Sequence, residues 1–116
     1  MKLAQGAGAT YAARGDAYHV PQTTKLIQDG IAHKGFSVID CVSICPTYYG
    51  RKNKKGDAVR MMEWQRDNAV LKARADKMTA EELKGKMVIG CFCNEEGVPE
   101  YTEEYSKLIE KLAAKE

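Results

Sequence analysis

A strand–helix–strand pattern in the first 42 residues is the feature that most limits how this chain can fold. Residues 8–14 are typical of a short strand, and Pro21 suits the first turn of a helix that continues to residue 34. Residues 36–42 are rich in β-branched and aromatic side chains, which favour a second strand. Two strands joined by one helix over so few residues form a parallel pair with a right-handed connection. We therefore predict an α/β fold that contains a βαβ unit over residues 8–42.

The rest of the chain predicts three further helices and one further strand. They are a helix over residues 57–74 that begins at Asp57, a short helix that begins at the capping box Thr79-Ala80-Glu81-Glu82, a third parallel strand over residues 87–92, and a helix over residues 103–114 capped by Thr102. Three strands make a thin parallel sheet. We therefore predict that residues 1–116 form a single partial domain, the C-terminal half of a larger parallel-sheet domain. One sheet edge should be unpaired, with Val38 and Ile39 poorly covered.

Charge is distributed unevenly around a net value of +2. Residues 51–60 carry five basic side chains and one acidic one, whereas residues 94–116 carry seven acidic and three basic ones. The basic segment has no interleaved aromatic residues and matches no nucleic-acid-binding motif, so we expect no nucleic-acid partner. It is either a solvated loop or a surface that meets an anionic ligand or an acidic partner. In both cases the side chains of Arg51, Lys52, Lys54 and Lys55 should be exposed.

Cellular location is predicted from the length of the apolar runs and from the residues that follow Met1. The longest apolar runs are only a few residues, far fewer than a membrane-spanning helix needs. Met1 and Lys2 are not followed by the apolar stretch of a secretory signal. We therefore expect a cytoplasmic protein with no membrane partner.

Four cysteines are the most reactive side chains of the sequence: Cys41, Cys45, Cys91 and Cys93. In a cytoplasmic protein they are expected to be reduced or to bind a metal, although their spacings are not the C-x-x-C of common zinc sites. Cys45 is the informative one, because it follows a predicted parallel strand and precedes a proline, an arrangement common at iron–sulfur sites. The residues alone leave a plain thiol as the alternative. His19 and His33 are isolated in the sequence, which favours local structural roles.

The segment around Cys45 also carries a family resemblance. Residues 35–53, which include Cys45-Pro46-Thr47-Tyr48-Tyr49-Gly50-Arg51-Lys52-Asn53, are similar to the β subunit of 2-oxoacid:ferredoxin oxidoreductases. The run Gly8-Ala9-Thr10-Tyr11-Ala12-Ala13-Arg14-Gly15 and the closing helix after Pro99 support this similarity, which extends over residues 4–110. The run Tyr49-Gly50-Arg51-Lys52-Asn53, followed by Gly56-Asp57, most resembles the 2-oxoglutarate branch of the family.

The resemblance implies an oxidoreductase that decarboxylates a 2-oxoacid on thiamine diphosphate with Mg²⁺. Such enzymes pass electrons through iron–sulfur clusters to ferredoxin and form an acyl-CoA from coenzyme A. Cys45 matches one ligand of the [4Fe–4S] cluster in the β subunit. The other ligands and the Gly-Asp-Gly motif for Mg²⁺ and diphosphate belong to the N-terminal part of such subunits and are absent here, so we assign no catalytic or cofactor-binding residue. The implied partners are an α subunit, further γ and δ subunits, and ferredoxin. The 116-residue chain alone is expected to be inactive.

Two alternatives to this function remain open from the sequence. The chain is a non-catalytic truncated protein that retains a docking surface, or it is a small metal-binding module that uses all four cysteines. Cys41, Cys91 and Cys93 match no cluster ligand of the family. Cys91 and Cys93 alternate with Phe92 in a predicted strand, so both are expected to line one face of the sheet as small apolar side chains.

Overall fold

The computed structural model describes residues 1–114, which form a four-stranded mixed sheet with helices around it. In chain order the elements are α1 Lys2–Gly6, β1 Tyr11–Asp16, α2 Val20–Ala32, β2 Ser37–Val42, a π-helical turn Pro46–Gly50, α3 Ala58–Asn68, β3 Ala69–Leu71, α4 Lys72–Ala75, β4 Met87–Asn94 and α5 Tyr101–Ala113. The strand order across the sheet is β2–β1–β4–β3. The predicted α/β class is confirmed. None of the helices in this part of the chain has the length and apolar character needed to cross a bilayer.

The predicted βαβ unit is present as β1, α2 and β2. The two strands pair in parallel along their whole length. α2 approaches them closely at Gly30, where an added Cβ would lie 2.6 Å from Ile39 Cδ1. The Tyr11 hydroxyl donates a hydrogen bond of 2.9 Å to the Leu26 carbonyl and ties the first strand to the helix. Pro21 lies in the first turn of α2, as predicted, because the first N–H groups of a helix have no partner within it.

The direction predicted for the third strand is wrong. β4 is antiparallel to β1, and its parallel neighbour is β3, a strand that falls within the helix predicted over residues 57–74. α3 instead ends at Asn68, and Ala69–Leu71 pair with Met87–Ile89. Helix propensities of these residues differ from alanine by only about 0.7 kcal/mol each or less. Hydrogen bonding to the edge of β4 outweighs so small a preference, so the pairing decides their conformation.

The short helix predicted from Thr79 is also wrong, although its capping box forms. Thr79 N donates to the Glu82 carboxylate at 2.7 Å, and Glu82 N donates back to the Thr79 hydroxyl at 3.3 Å. The backbone then continues as turns up to Gly85, which has a φ of +76°. The capping box therefore orders the approach to β4 without starting a helix.

The helix predicted near the end of the chain is present as α5, but its cap differs from the prediction. Glu100, and not Thr102, is the capping residue, and its carboxylate accepts the Glu103 N–H at 3.0 Å. A carboxylate satisfies an N-terminal N–H as well as a hydroxyl does and also complements the helix dipole. The predicted cap of α3 is confirmed, since the Asp57 carboxylate accepts the Arg60 N–H at 2.9 Å.

The core is small and centres on β1. The buried apolar residues are Ala9, Tyr11, Ala12, Ala13, Met61, Ala75 and Ile89. β2 lies at one edge of the sheet, and Val38 and Ile39 on it are only partly buried, as predicted. α5 has no buried residue. The packed centre of the sheet and the uncovered α5 are therefore distinct parts of the molecule.

Candidate functional site

Cys45 lies at the start of a single π-helical turn, just past the carboxyl end of the parallel strand β2, as the sequence predicted. Gly50 N donates to the Cys45 carbonyl at 2.8 Å and closes the turn. Gly50 leaves no room for a side chain, because an added Cβ would lie 2.9 Å from Met61 Sδ and 3.2 Å from the Gly56 carbonyl oxygen. Single π-helical turns are frequent at functional sites. The local fold thus holds the backbone on both sides of Cys45 in one arrangement.

The Cys45 thiol is exposed and faces N–H donors of its own turn. The backbone N–H groups of Tyr49 and Tyr48, with a smaller contribution from the Thr47 side chain, lower the pKa of this thiol below its ordinary value. A lower pKa raises the fraction of thiolate, which is the form that acts as a nucleophile or binds a metal. The turn therefore favours the chemically competent state of Cys45.

The basic segment follows the turn directly. Four of its five cations, Arg51, Lys52, Lys54 and Lys55, were predicted to be exposed and are exposed. Lys55 N donates to the Gly50 carbonyl at 2.8 Å, which folds the segment back against the Cys45 turn. The backbone of the basic segment therefore lies against the turn that begins at Cys45.

A cavity of about 760 Å³ opens beside Cys45. Its walls come from the loop after β2, from α3 and from β4. Four cations line it, namely Arg14, Lys55, Arg60 and Lys86. No carboxylate of residues 1–114 does so. Lys55 and Arg60 belong to the basic segment 51–60, whereas sequence reasoning missed Arg14 and Lys86, because they lie in distant segments that only the tertiary fold brings together.

Gln65, on α3, lines the same cavity and is 3% exposed. Its Nε2 donates to the Val42 carbonyl at 3.1 Å, whereas its Oε1 has no hydrogen-bond partner within the described part of the chain. Buried carbonyl oxygens without a partner are uncommon in folded proteins. No sequence signal distinguishes Gln65 from an ordinary polar helix residue, so this feature was not predictable.

The other cysteines do not gather around Cys45. Cys41 lies within β2, opposite Gly15 of β1, and the remaining two lie in β4. Within residues 1–114 no group of three His, Cys, Asp or Glu side chains is placed to hold a metal ion. The described structure therefore gives no support to a metal module built from all four cysteines.

The cysteines of β4 also differ from their predicted arrangement. A register shift sets Cys91 opposite Ala13 and Cys93 opposite Ala12, so that Phe92 is the extra residue of a bulge. The regular alternation that would place both thiols on one face is interrupted there. Partial desolvation raises the pKa of the Cys91 thiol, and a backbone hydrogen bond at Cys93 offsets part of this increase. Cys91 is thus the less reactive counterpart of Cys45.

A second polar cluster joins β1 to α2 and is structural. The carboxylate of Asp16, a residue 1% exposed, accepts the N–H groups of Tyr18 at 3.0 Å and His19 at 2.7 Å, and it lies 3.0 Å from His19 Nδ1. These bonds fix the turn before α2, in line with the local role expected of His19. The Asp-x-x-His spacing between a strand and a helix is the sequence signal that could have identified the pair. His33 lies elsewhere, with its Nε2 2.8 Å from the Thr10 hydroxyl.

The sequence is similar to curated oxidoreductase subunits of archaea. Over 111 residues it is 46% identical to the 2-oxoglutarate synthase subunit KorB of Methanocaldococcus jannaschii, and over 114 residues it is 40% identical to the KorB subunit of Methanothermobacter marburgensis. It is 34% identical over 118 aligned positions to a 2-oxoacid:ferredoxin oxidoreductase subunit beta of a Sulfolobus species. These alignments cover 96%, 98% and 89% of this chain. No protein-family model matches it.

The chain spans about two fifths of the length of these relatives, since the alignments cover 41%, 40% and 37% of them. The matched part is a C-terminal portion of the relative. The resemblance predicted from the Cys45 segment, to a C-terminal portion of the β subunit and to the 2-oxoglutarate branch, is therefore confirmed.

Proposed function

We propose that this chain works as the C-terminal part of the β subunit of a 2-oxoacid:ferredoxin oxidoreductase, with 2-oxoglutarate as its 2-oxoacid. Similarity over 96% of the chain to a 2-oxoglutarate synthase subunit carries this proposal. Residues 1–116 then form one partial domain of a thiamine-diphosphate-dependent subunit. The enzyme acts in the cytoplasm, together with an α subunit, γ and δ subunits, and ferredoxin.

Cys45 is the residue for which we propose a cofactor role, as one ligand of a [4Fe–4S] cluster. Its exposed sulfur, lowered pKa and neighbouring N–H groups suit a thiolate ligand, because donors near the sulfur stabilise its negative charge and tune the potential of a cluster. When bound, such a cluster carries single electrons toward ferredoxin. The remaining ligands come from outside residues 1–114, since these offer no group of three candidate ligands.

The residues of this chain do not fit the part of a thiamine site that holds Mg²⁺ and diphosphate. The sequences nearest to Gly-Asp-Gly are Gly15-Asp16-Ala17 and Gly56-Asp57-Ala58. The Asp16 carboxylate is occupied by backbone N–H groups, and the Asp57 carboxylate caps α3. We therefore propose that thiamine diphosphate and Mg²⁺ are bound mainly by other parts of the enzyme, with coenzyme A as co-substrate. On this account the chain alone is inactive.

Two surfaces support assembly with other subunits. Among residues 1–114 β2 pairs with β1 alone and so presents a sheet edge, and α5 exposes the apolar side chains of Tyr101, Tyr105, Leu108, Ile109 and Leu112. Unpaired edges and exposed apolar stripes are typical of protein contacts. The cations of residues 51–55 suit an anionic partner, which in this proposal is ferredoxin.

Charge reversal of Lys54 and Lys55 tests the ferredoxin contact. The variant should bind ferredoxin more weakly than the unmodified protein, and the difference should be largest at low salt. Exposed charges are screened within about 8 Å at physiological ionic strength, so salt removes the effect. Binding titrations at several salt concentrations measure it. An unchanged salt dependence would make the basic segment a solvated loop.

A chimera tests the enzymatic role. This chain is joined to the N-terminal part of the Methanocaldococcus jannaschii relative and assembled with the other subunits of that enzyme, whose unmodified form sets the reference activity. We expect the chimera to oxidise 2-oxoglutarate in the presence of coenzyme A with reduction of ferredoxin, and the 116-residue chain alone to show no turnover. A folded, assembled chimera without activity would contradict the enzymatic role and favour a non-catalytic docking protein.

A further inference from the structure

The cavity beside the Cys45 turn has the dimensions of a small-molecule site. Its volume of about 760 Å³ lies within the roughly 300–1,000 Å³ typical of such sites. Trp64, Phe92 and Tyr49 contribute aromatic walls, and the Trp64 and Tyr49 side chains are well exposed. Aromatic side chains pack favourably against other flat rings, so these walls favour a ligand with a flat apolar body.

Charge restricts the ligand further. The Nε of Arg14 is paired with Asp40 at 2.7 Å, whereas Lys55 and Arg60 have no ion-pair partner within the described residues. Within residues 1–114 the Lys86 Nζ donates only to the Asp67 carbonyl and the Asn68 side chain, both uncharged acceptors. Cations grouped around an apolar concave surface create a positive potential, which attracts an anion.

The unpaired Oε1 of Gln65 adds a third requirement. The Gln65 amide is fixed by its bond to the Val42 carbonyl, and its Oε1 is a fully buried acceptor without a partner among the described residues, in a side chain that lines the cavity. A ligand whose N–H or O–H group displaces the atoms that cover this oxygen would satisfy it. The requirement set by Gln65 is separate from the one set by the charges. A bare inorganic anion would meet the cations but would leave both Gln65 and the aromatic walls without a partner.

We propose that this cavity binds an aromatic organic anion that carries an N–H or O–H donor. Its anionic group meets Arg60 and Lys86, its ring lies against Trp64 and Phe92, and its donor meets Gln65. The site goes beyond the proposed function, since it uses neither the Cys45 thiol nor a metal.

The dye 1-anilinonaphthalene-8-sulfonate is a suitable probe, because it combines a sulfonate, two aromatic groups and a bridging N–H. We expect saturable binding to the 116-residue chain, followed by dye fluorescence. The double variant Arg60→Ala, Lys86→Ala should bind roughly tenfold or more weakly, since it loses two charge-assisted contacts. Gln65→Met keeps the side-chain volume but removes the acceptor, and should weaken binding severalfold.

Lys52→Ala, Lys54→Ala is the matched control, because it removes two cations of the basic segment that do not line the cavity. Its affinity for the dye should stay within twofold of the unmodified chain. Far-UV circular dichroism verifies that every variant is folded. If the dye binds the Arg60 and Lys86 variant as tightly as the unmodified chain, but is lost when Leu108→Ser changes α5, the dye reports the exposed helix and the cavity proposal is wrong.

Cys45→Ser separates this proposal from the cluster proposal. Dye binding should persist in Cys45→Ser, because the thiol makes none of the three contacts. Loss of dye binding in this variant, while its fold is retained, would overturn the anion site as described. Dye binding and cluster assembly are measured separately, so either proposal can fail while the other stands.

Discussion

β1 and α5 both carry a pattern of apolar residues, yet the fold buries β1 and leaves α5 uncovered. β1 is almost completely buried, with Ala12 and Ala13 at 0% exposure, because β2 and β4 pair with its two sides and α2 packs against it. α5 has the regular apolar spacing of an amphipathic helix but no buried residue. Its Glu103 forms an ion pair of 2.6 Å with Lys34. An apolar stripe thus predicts that a helix forms, but not that its own chain covers the stripe.

The largest expected difference between the two regions is the loss of stability when one apolar side chain is truncated in each. Ile89→Ala removes a side chain that is 2% exposed and should lower the free energy of unfolding by about 3 kcal/mol, because it leaves a cavity beside β1. Leu108→Ala on α5, where the side chain is 51% exposed, should change it by less than about 0.5 kcal/mol. Urea unfolding followed by Trp64 fluorescence and circular dichroism measures both. A large loss from Leu108→Ala would mean that α5 is covered in solution.

The close approach of the β1 backbone to a side chain of α2 gives the next largest expected change in stability. An added Cβ at Gly15 would lie 2.4 Å from Thr23 Oγ1 and 2.7 Å from its Cγ2, so Thr23 would have to rotate away from the Asp16 backbone to which it is bonded. We expect Gly15→Ala to cost about 2 kcal/mol of stability in thermal or urea unfolding. Gly6→Ala is the control, because no atom lies within 4 Å of its added Cβ. Equal stability of the two variants would contradict the close packing.

Thiol reactivity extends the comparison to chemistry. The N–H groups of the π-helical turn lower the pKa of Cys45, whereas partial desolvation raises the pKa of Cys91, although both residues are exposed. At neutral pH the thiolate fraction is therefore higher at Cys45, which should be alkylated several times faster by iodoacetamide. The rate difference should narrow as pH rises and both thiols ionise. Timed alkylation with mass spectrometry measures it, and faster modification of Cys91 at pH 7 would contradict the assignment.

The smallest expected effect is the pH dependence of the helix content of α5, which its capping residue controls. The Thr102 hydroxyl, followed by backbone N–H groups and Lys34, lowers the pKa of Glu100 below its ordinary value. Its stabilisation of α5 is therefore present above the unfolded pKa and is lost as pH falls through the lower folded pKa. Far-UV circular dichroism should show helix loss on acidification that is reduced in Glu100→Gln. Glu110→Gln, which removes a carboxylate from the last turn of the helix, away from the cap, is the control and should retain the helix loss.

The sequence predicts the features whose signals lie within a short segment, and it does not predict those that depend on tertiary contacts. The βαβ unit and the position of Cys45 follow from short-range patterns: a proline in a first helical turn, β-branched runs, and a cysteine and proline after a strand. β3 could not be predicted, because Ala69–Leu71 become a strand only through pairing with β4. The cavity could not be predicted either. Arg14, Arg60 and Lys86 are distant in sequence, and the unpaired oxygen of Gln65 depends on what surrounds it in three dimensions.

The iron content of the chimera with the Methanocaldococcus jannaschii N-terminal part tests the central claim that Cys45 supplies one cluster ligand to a larger subunit. After reconstitution with iron and sulfide, we expect the chimera to hold a [4Fe–4S] cluster by iron analysis and electron paramagnetic resonance, and the 116-residue chain alone to hold none. Cys45→Ser should damage the cluster, whereas Cys41→Ser, which removes another exposed cysteine four residues earlier, should leave it intact. Full iron content in Cys45→Ser, or one equivalent of iron bound by the 116-residue chain alone, would contradict the claim.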